Sequence, residues 1–240
     1  MARYRNYVDA EAPRLKGRKE DCANLSMTLL IDFAAQNQLP VTFHDNNWNI
    51  YCSKASRQWM DDPSNTKTWR NKDEFMKVVY SRIGSPNLKI NTFEVKDLND
   101  IWSGDLIWKM DEAKDEHHTA LVFNVLQAGQ RHPRQLDPTI PNLPSPKVAA
   151  QQTNTLEYFA TERTAGPLFA CSPKSLMEVH IDYLNHRGEG NPKKEQAELI
   201  YFRSAKELLA QGLQFRRYSG GPNGVLDNWE YWDGEGKPVR

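Results

Sequence analysis

Residues 20–25 read Glu-Asp-Cys-Ala-Asn-Leu, and an apolar run at helical spacing follows at once. No other stretch narrows the possible folds as much. Leu25, Leu29, Ile31, Phe33 and Ala34 define the apolar side of a helix expected over residues 22–37. Asp21 is a good N-cap residue, and Pro40 lies just beyond the far end. Cys22 therefore opens a helix, beside unpaired backbone N–H groups and the positive end of the helix dipole. Both favour thiolate over thiol, and the thiolate is the nucleophile. Far downstream, residues 104–108 read Gly-Asp-Leu-Ile-Trp and residues 117–122 read His-His-Thr-Ala-Leu-Val. A histidine at the start of an apolar strand can hold the thiol's proton and return it to a leaving group.

The rest of the chain changes character along its length. Residues 48–60 place Trp48, Tyr51, Cys52, Ala55 and Trp59 at mostly helical spacing. Residues 72–83 repeat the pattern with Phe75, Val78, Val79 and Ile83, closed by Gly84 and Pro86. Beyond them the period shortens, and residues 104–109 and 118–126 read as strands. Residues 129–153 hold Pro133, Pro138, Pro141, Pro144 and Pro146, which suits a loop or extended insertion because proline cannot donate to a sheet ladder. Residues 155–160, 176–183, 199–203 and 213–218 read as further strands. Ser204 with Glu207 matches a capping box that opens a helix through Gln211. Helices come early and strands cluster late, which predicts an α+β fold in a single domain over residues 1–240.

Lys and Arg number 31 and Asp and Glu number 31, so the zero net charge gives no electrostatic case for nucleic acid or an anionic membrane. The first nineteen residues are polar, with no apolar core of a secretory signal, and no run is apolar enough to span a bilayer. The three cysteines, Cys22, Cys52 and Cys171, are an odd number, so one thiol stays unbridged within a monomer. Cys52 and Cys171 are either a pair in an oxidising compartment or two buried thiols.

The order of these pieces resembles the NlpC-type branch of papain-like cysteine peptidases. That family has an Asp-Cys pair opening the nucleophile helix, then a Gly-Asp-Leu strand, then a strand beginning His-x-Gly-Ile. The matching residues are Asp21-Cys22, Gly104-Asp105-Leu106 and His118-Thr119-Ala120-Leu121-Val122. The likeness covers residues 20–37 and 100–160. It departs from the family at Ala23 and Asn24, where serine and glycine are usual, and in the longer stretch 38–100.

The resemblance implies a papain-like domain with a helical insertion at 38–100 and a C-terminal elaboration at 161–240. It implies Cys22 as nucleophile, His118 as base and then acid, and no cofactor or metal. A third residue on the strand after the His strand would orient the imidazole. Glu157 fills that place if the return strand is Thr155–Phe159, and His132 if the hairpin closes early. The Cys22 backbone N–H is the expected oxyanion donor, with Tyr7 as a second. By the same resemblance the substrate is a peptidoglycan peptide. Some antibacterial toxins of type VI secretion are signal-less hydrolases of this kind. That parallel implies synthesis in the cytoplasm, a secretion-machinery carrier, action in a target-cell periplasm and a cognate immunity protein.

Other readings stand beside this one. A cytosolic thiol protease, deamidase or acyltransferase could use the same scaffold, and so could a non-catalytic binding module. Glu116, His117 and His118, with Asp111, Glu112 and Asp115, could gather a metal, although no His-Glu-x-x-His or paired Cys-x-x-Cys spacing is present. Trp229, Tyr231 and Trp232 could form a ligand platform or cap a core.

Overall fold

A computed structural model describes residues 1–53, 66–69, 72–111, 116–127, 178–187, 196–220, 224–226 and 229. The chain opens with helix α1, Ala2–Glu11, and a 3-10 turn, Ala12–Leu15. Tyr4, Val8 and Ala12 stand four apart on one side and are all buried. Helix α2, Cys22–Gln36, follows with Asp21 as its N-cap.

A small sheet comes next: β1 (Thr42–His44), β2 (Ile50–Ser53) and β3 (Thr66–Trp69). Helix α3 spans Lys72–Arg82 and α4 spans Ser85–Leu88. The main sheet uses β4 (Thr92–Glu94), β5 (Leu106–Asp111), β6 (Glu116–Leu126), β7 (His180–Arg187), β8 (Gln196–Ser204) and β9 (Gln214–Tyr218). Helix α5, Ala205–Ala210, joins β8 to β9 and is capped by the Ser204 hydroxyl. The strand order is β4-β9-β5-β6-β7-β8, and every neighbouring pair is antiparallel. The architecture is α+β.

Alternation along the strands separates two cores. Leu106, Leu121, Leu184 and Leu199 lie opposite one another across β5, β6, β7 and β8. This row packs with α2, from which Leu25, Leu29, Leu30 and Phe33 join the same cluster. The residues one step on, Ile107 and Val122, face a second cluster with Ile181, Leu208 and Phe215. Helix α2 is buried nearly all round, so its hydroxyls need partners. Ser26 Oγ donates to the Cys22 carbonyl at 2.8 Å and lies 3.1 Å from Thr119 Oγ1, and Thr28 Oγ1 pairs with the Tyr80 hydroxyl.

Three expectations change here. Within the helix expected over residues 48–60, residues 54–60 lie outside the described residues, and Ile50–Ser53 form a hairpin strand because Asp45 organises the turn before them. Its carboxylate accepts the N–H groups of Asn47 and Asn49 at 2.8 and 3.0 Å, and the Tyr51 hydroxyl at 2.9 Å. The 38–100 stretch is accordingly mixed and not simply helical, with four strands beside α3 and α4. The C-terminal residues supply β7, β8 and β9, half of the main sheet. Strand β6 lies between β5 and β7, so residues 180–187 return beside it, and residues 155–160 lie outside the described residues.

The Gly-Asp-Leu segment has a packing role. Gly104 has φ +100°, and a Cβ there would lie 2.6 Å from Cε1 of buried Tyr4. Only glycine takes that backbone and leaves room for the ring. Asp105, also buried, accepts Arg217 Nε at 2.7 Å and Nη2 at 2.8 Å, and the Trp102 backbone N–H at 2.8 Å. Trp102 in turn lies between two guanidinium groups, Arg5 at 3.2 Å and Arg217 at 3.6 Å from its ring centre.

Candidate active site

The lead-in to α2 is tied to the sheet edge. Gly17 N–H donates to the Ala197 carbonyl at 2.7 Å, and Ala197 N–H donates to the Arg18 carbonyl at 2.8 Å. Asp21 then caps α2 by accepting the Asn24 N–H at 2.7 Å. These contacts deliver Cys22, partly exposed, to the end of the sheet where β6 begins and β7 ends.

Three groups converge on the Cys22 sulfur. Ser85 Oγ, the first residue of α4, lies 3.0 Å from Sγ. The His118 imidazole and the Thr119 backbone N–H also act on the thiol, each favouring its ionised form. Burial pushes the Cys22 thiol up. The hydrogen bonds from His118, Ser85 and Thr119 and the nearby imidazole charge outweigh it, and the thiol sits below its ordinary range.

The second ring nitrogen has its own partner. His118 Nε2 lies 2.8 Å from Asn185 Oδ1. Asn185 Nδ2 donates to Glu198 Oε1 at 3.1 Å, across the β7–β8 pair. A carboxylate only accepts, so this bond makes Nδ2 the donor side and turns Oδ1 toward the histidine. Nε2 then carries the ring proton, which leaves the lone pair of Nδ1 available to the thiol. Cys22, His118 and Asn185 form one continuous chain of groups. His186, 7% exposed, places its ring 6.4 Å from that of His118.

The His118 imidazole lies near enough to Cys22 to act on its thiol. Glu157 and His132 lie outside the described residues, and the acceptor on Nε2 is Asn185. Tyr7 is not at the site. Its hydroxyl accepts from Gln36 Nε2 at 3.1 Å, and Gln36 is fourteen residues from Cys22, about 21 Å along a helix rising 1.5 Å per residue. Cys52 is buried with Sγ 3.5 Å from Thr42 Oγ1, and Cys171 lies outside the described residues. Trp229 is buried, donating to the Pro40 carbonyl, while Tyr231 and Trp232 fall outside the described residues. Among the described residues no three His, Cys, Asp or Glu side chains are grouped as metal ligands, and no helix is long and apolar enough to cross a membrane.

Two residues escaped the sequence. Asn185 sits on a strand whose pairing with β6 spans a long intervening stretch, and one polar residue among several on a strand carries no signal of its own. Ser85, in Gly-Ser-Pro, looks like any helix entry.

A family model described as "Putative amidase domain" matches residues 2–163, a span that includes Cys22, His118 and the Gly-Asp-Leu segment. No curated protein and no solved structure matches the chain.

Proposed function

The chain belongs to that amidase family, whose model covers more than half of it, and from this premise we propose that it hydrolyses amide bonds with Cys22 as nucleophile, in the manner of NlpC-type peptidases. The observation that carries this is the Cys22–His118–Asn185 chain at the N-terminus of α2.

The chemistry follows from the groups present. The Cys22 thiolate attacks the carbonyl carbon, and the C=O electron pair moves onto oxygen. In the first turn of α2 the Ala23 and Asn24 N–H groups are engaged by the Asp21 carboxylate, and the Leu25 N–H by the Asp21 carbonyl. The Cys22 N–H is the remaining first-turn donor and is assigned to the oxyanion. The protonated His118 gives its Nδ1 proton to the leaving nitrogen as the C–N bond breaks, which leaves a thioester on Cys22. Neutral His118 then takes a proton from water, the hydroxide attacks the thioester, and the carboxylic acid and the thiolate are released.

Asn185 keeps the ring in the plane and tautomer that both proton transfers need. Asn185→Ala is expected to lower kcat by about ten- to a hundredfold with KM nearly unchanged, because substrate contacts stay intact. Steady-state kinetics on the two proteins checks this. An unchanged kcat would remove Asn185 from the reaction.

Peptidoglycan peptides are the proposed substrate. The support is the order Asp-Cys, Gly-Asp-Leu, His along a chain of an amidase family. Delivery by a secretion carrier to a target-cell periplasm, with an immunity protein in the producing cell, is proposed with it. Purified cell wall treated with the wild-type enzyme should release new peptide fragments by chromatography and mass spectrometry, and Cys22→Ala should release none. An unaltered cell-wall profile from an enzyme that cleaves general protein substrates would move the cytosolic protease reading ahead.

A further inference from the structure

We propose that Ser85 is a catalytic residue whose hydroxyl donates a hydrogen bond to the Cys22 sulfur and shares with His118 the task of keeping it a thiolate, a role that presupposes the nucleophilic Cys22 proposed above. Ser85 is 63 residues from Cys22 in the sequence, yet its Oγ lies 3.0 Å from Sγ. The residue is 6% exposed, so bulk water does not compete freely for the hydroxyl. A thiolate carries no proton, so in the ionised enzyme the donor of this pair can only be the serine. A hydrogen bond to a charged acceptor is worth more than a neutral one, and the more so away from water.

The backbone around Ser85 is held so that the hydroxyl cannot drift. Asn87 Oδ1 accepts the Gly84 N–H at 2.9 Å and closes the entry to α4. Pro86 fixes the next φ angle. Trp108, the last residue of the Gly-Asp-Leu-Ile-Trp segment, donates its indole N–H to the Ser85 carbonyl at 3.2 Å. Leu88, fully buried, anchors the other end of the short helix. The strand that leads into the His strand thereby also positions the serine. The effect on the sulfur agrees with this placement: Ser85 is among the groups that hold the Cys22 thiol below its ordinary range against the upward push of burial.

During attack the thiolate charge leaves sulfur, and the hydroxyl loses its charged acceptor. Ser85 therefore stabilises the resting nucleophile, and its removal costs thiolate population rather than substrate binding.

The test is the pH dependence of Cys22 alkylation by iodoacetamide, followed by peptide mapping, between about pH 5 and 10, where thiols titrate. Wild type, Ser85→Ala, Ser85→Thr and His118→Ala are compared. Ser85→Ala should alkylate about tenfold more slowly on the acid side and match the wild type at alkaline pH, where the thiol ionises without help. Ser85→Thr, which keeps the hydroxyl, should follow the wild type. A Ser85→Ala curve that superposes on the wild type while His118→Ala does not would overturn the role of Ser85 and leave the Cys22–His118 pair standing. A wild-type Cys22 that titrates as an ordinary thiol, with His118→Ala unchanged, would instead remove the pair itself. If Ser85→Ala loses cooperative unfolding, Ser85→Gly takes its place against Ser85→Thr, and the hydroxyl-free variant must again be the slow one.

Discussion

Cys22→Ala is expected to lower amide hydrolysis by more than about a thousandfold, the scale seen when one member of a nucleophile–base unit is removed. Every group around the sulfur serves the sulfur. Ser85 Oγ at 3.0 Å and the His118 ring both address it, and Asn185 addresses His118 at 2.8 Å. Without the thiol none of them can form the covalent intermediate, and orientation by the remaining groups accounts for little. The fold should tolerate the change within about 1–2 kcal/mol, because Cys22 is only partly buried and α2 keeps its Asp21 cap. Circular dichroism and denaturant titration on the same sample separate lost chemistry from lost structure. Because the thiol of the wild type lies below its ordinary range, the acid limb of its activity should also lie below that of a free cysteine.

Asp105→Ala should be the most damaging single change to stability, about 3–5 kcal/mol, the cost of removing one partner of a buried ion pair. Asp105 is 2% exposed and takes two bonds from Arg217 and one from the Trp102 backbone. Its loss leaves the Arg217 guanidinium pressed on the Trp102 ring, with the Arg5 guanidinium on the opposite face. Two cations would then share one indole without the nearby carboxylate to offset their charge. For a chain of this size the loss corresponds to a fall in Tm of roughly 10 °C. Asp105→Asn, which keeps acceptor oxygen and volume, should cost less. A loss below about 1 kcal/mol for Asp105→Ala would show that Arg217 is held by its other contacts. The motif that helped identify the chain thus contributes Gly104 and Asp105 to packing rather than to chemistry.

How much of this was legible in the sequence depended on how local the cause was. Helix α2 was readable because its cap, its apolar spacing and Pro40 all lie within twenty residues. Strands β5, β6, β8 and β9 were readable because short apolar runs and the Ser204–Glu207 box are local too. The turn at Asp45 was not, since Trp48, Tyr51 and Cys52 fall at helical spacing and one carboxylate gathering its neighbours' N–H and O–H groups overrode it. Helix α1 was missed because only Tyr4 and Val8 mark its buried side. At the site, Cys22 and His118 announced themselves by residue type and position. Asn185 and Ser85 acquire meaning only through pairing across the sheet and through the placement of α4, which are non-local.

The most direct measurement is capture of the acyl-enzyme. The enzyme is mixed with an amide or activated ester substrate, quenched in acid during turnover, and digested for mass spectrometry. An acyl group is expected on the Cys22 sulfur of the wild type during turnover, and none on Cys22→Ala. Steady turnover with no acyl group on Cys22 at any time, or with the acyl group on a different residue, would contradict it.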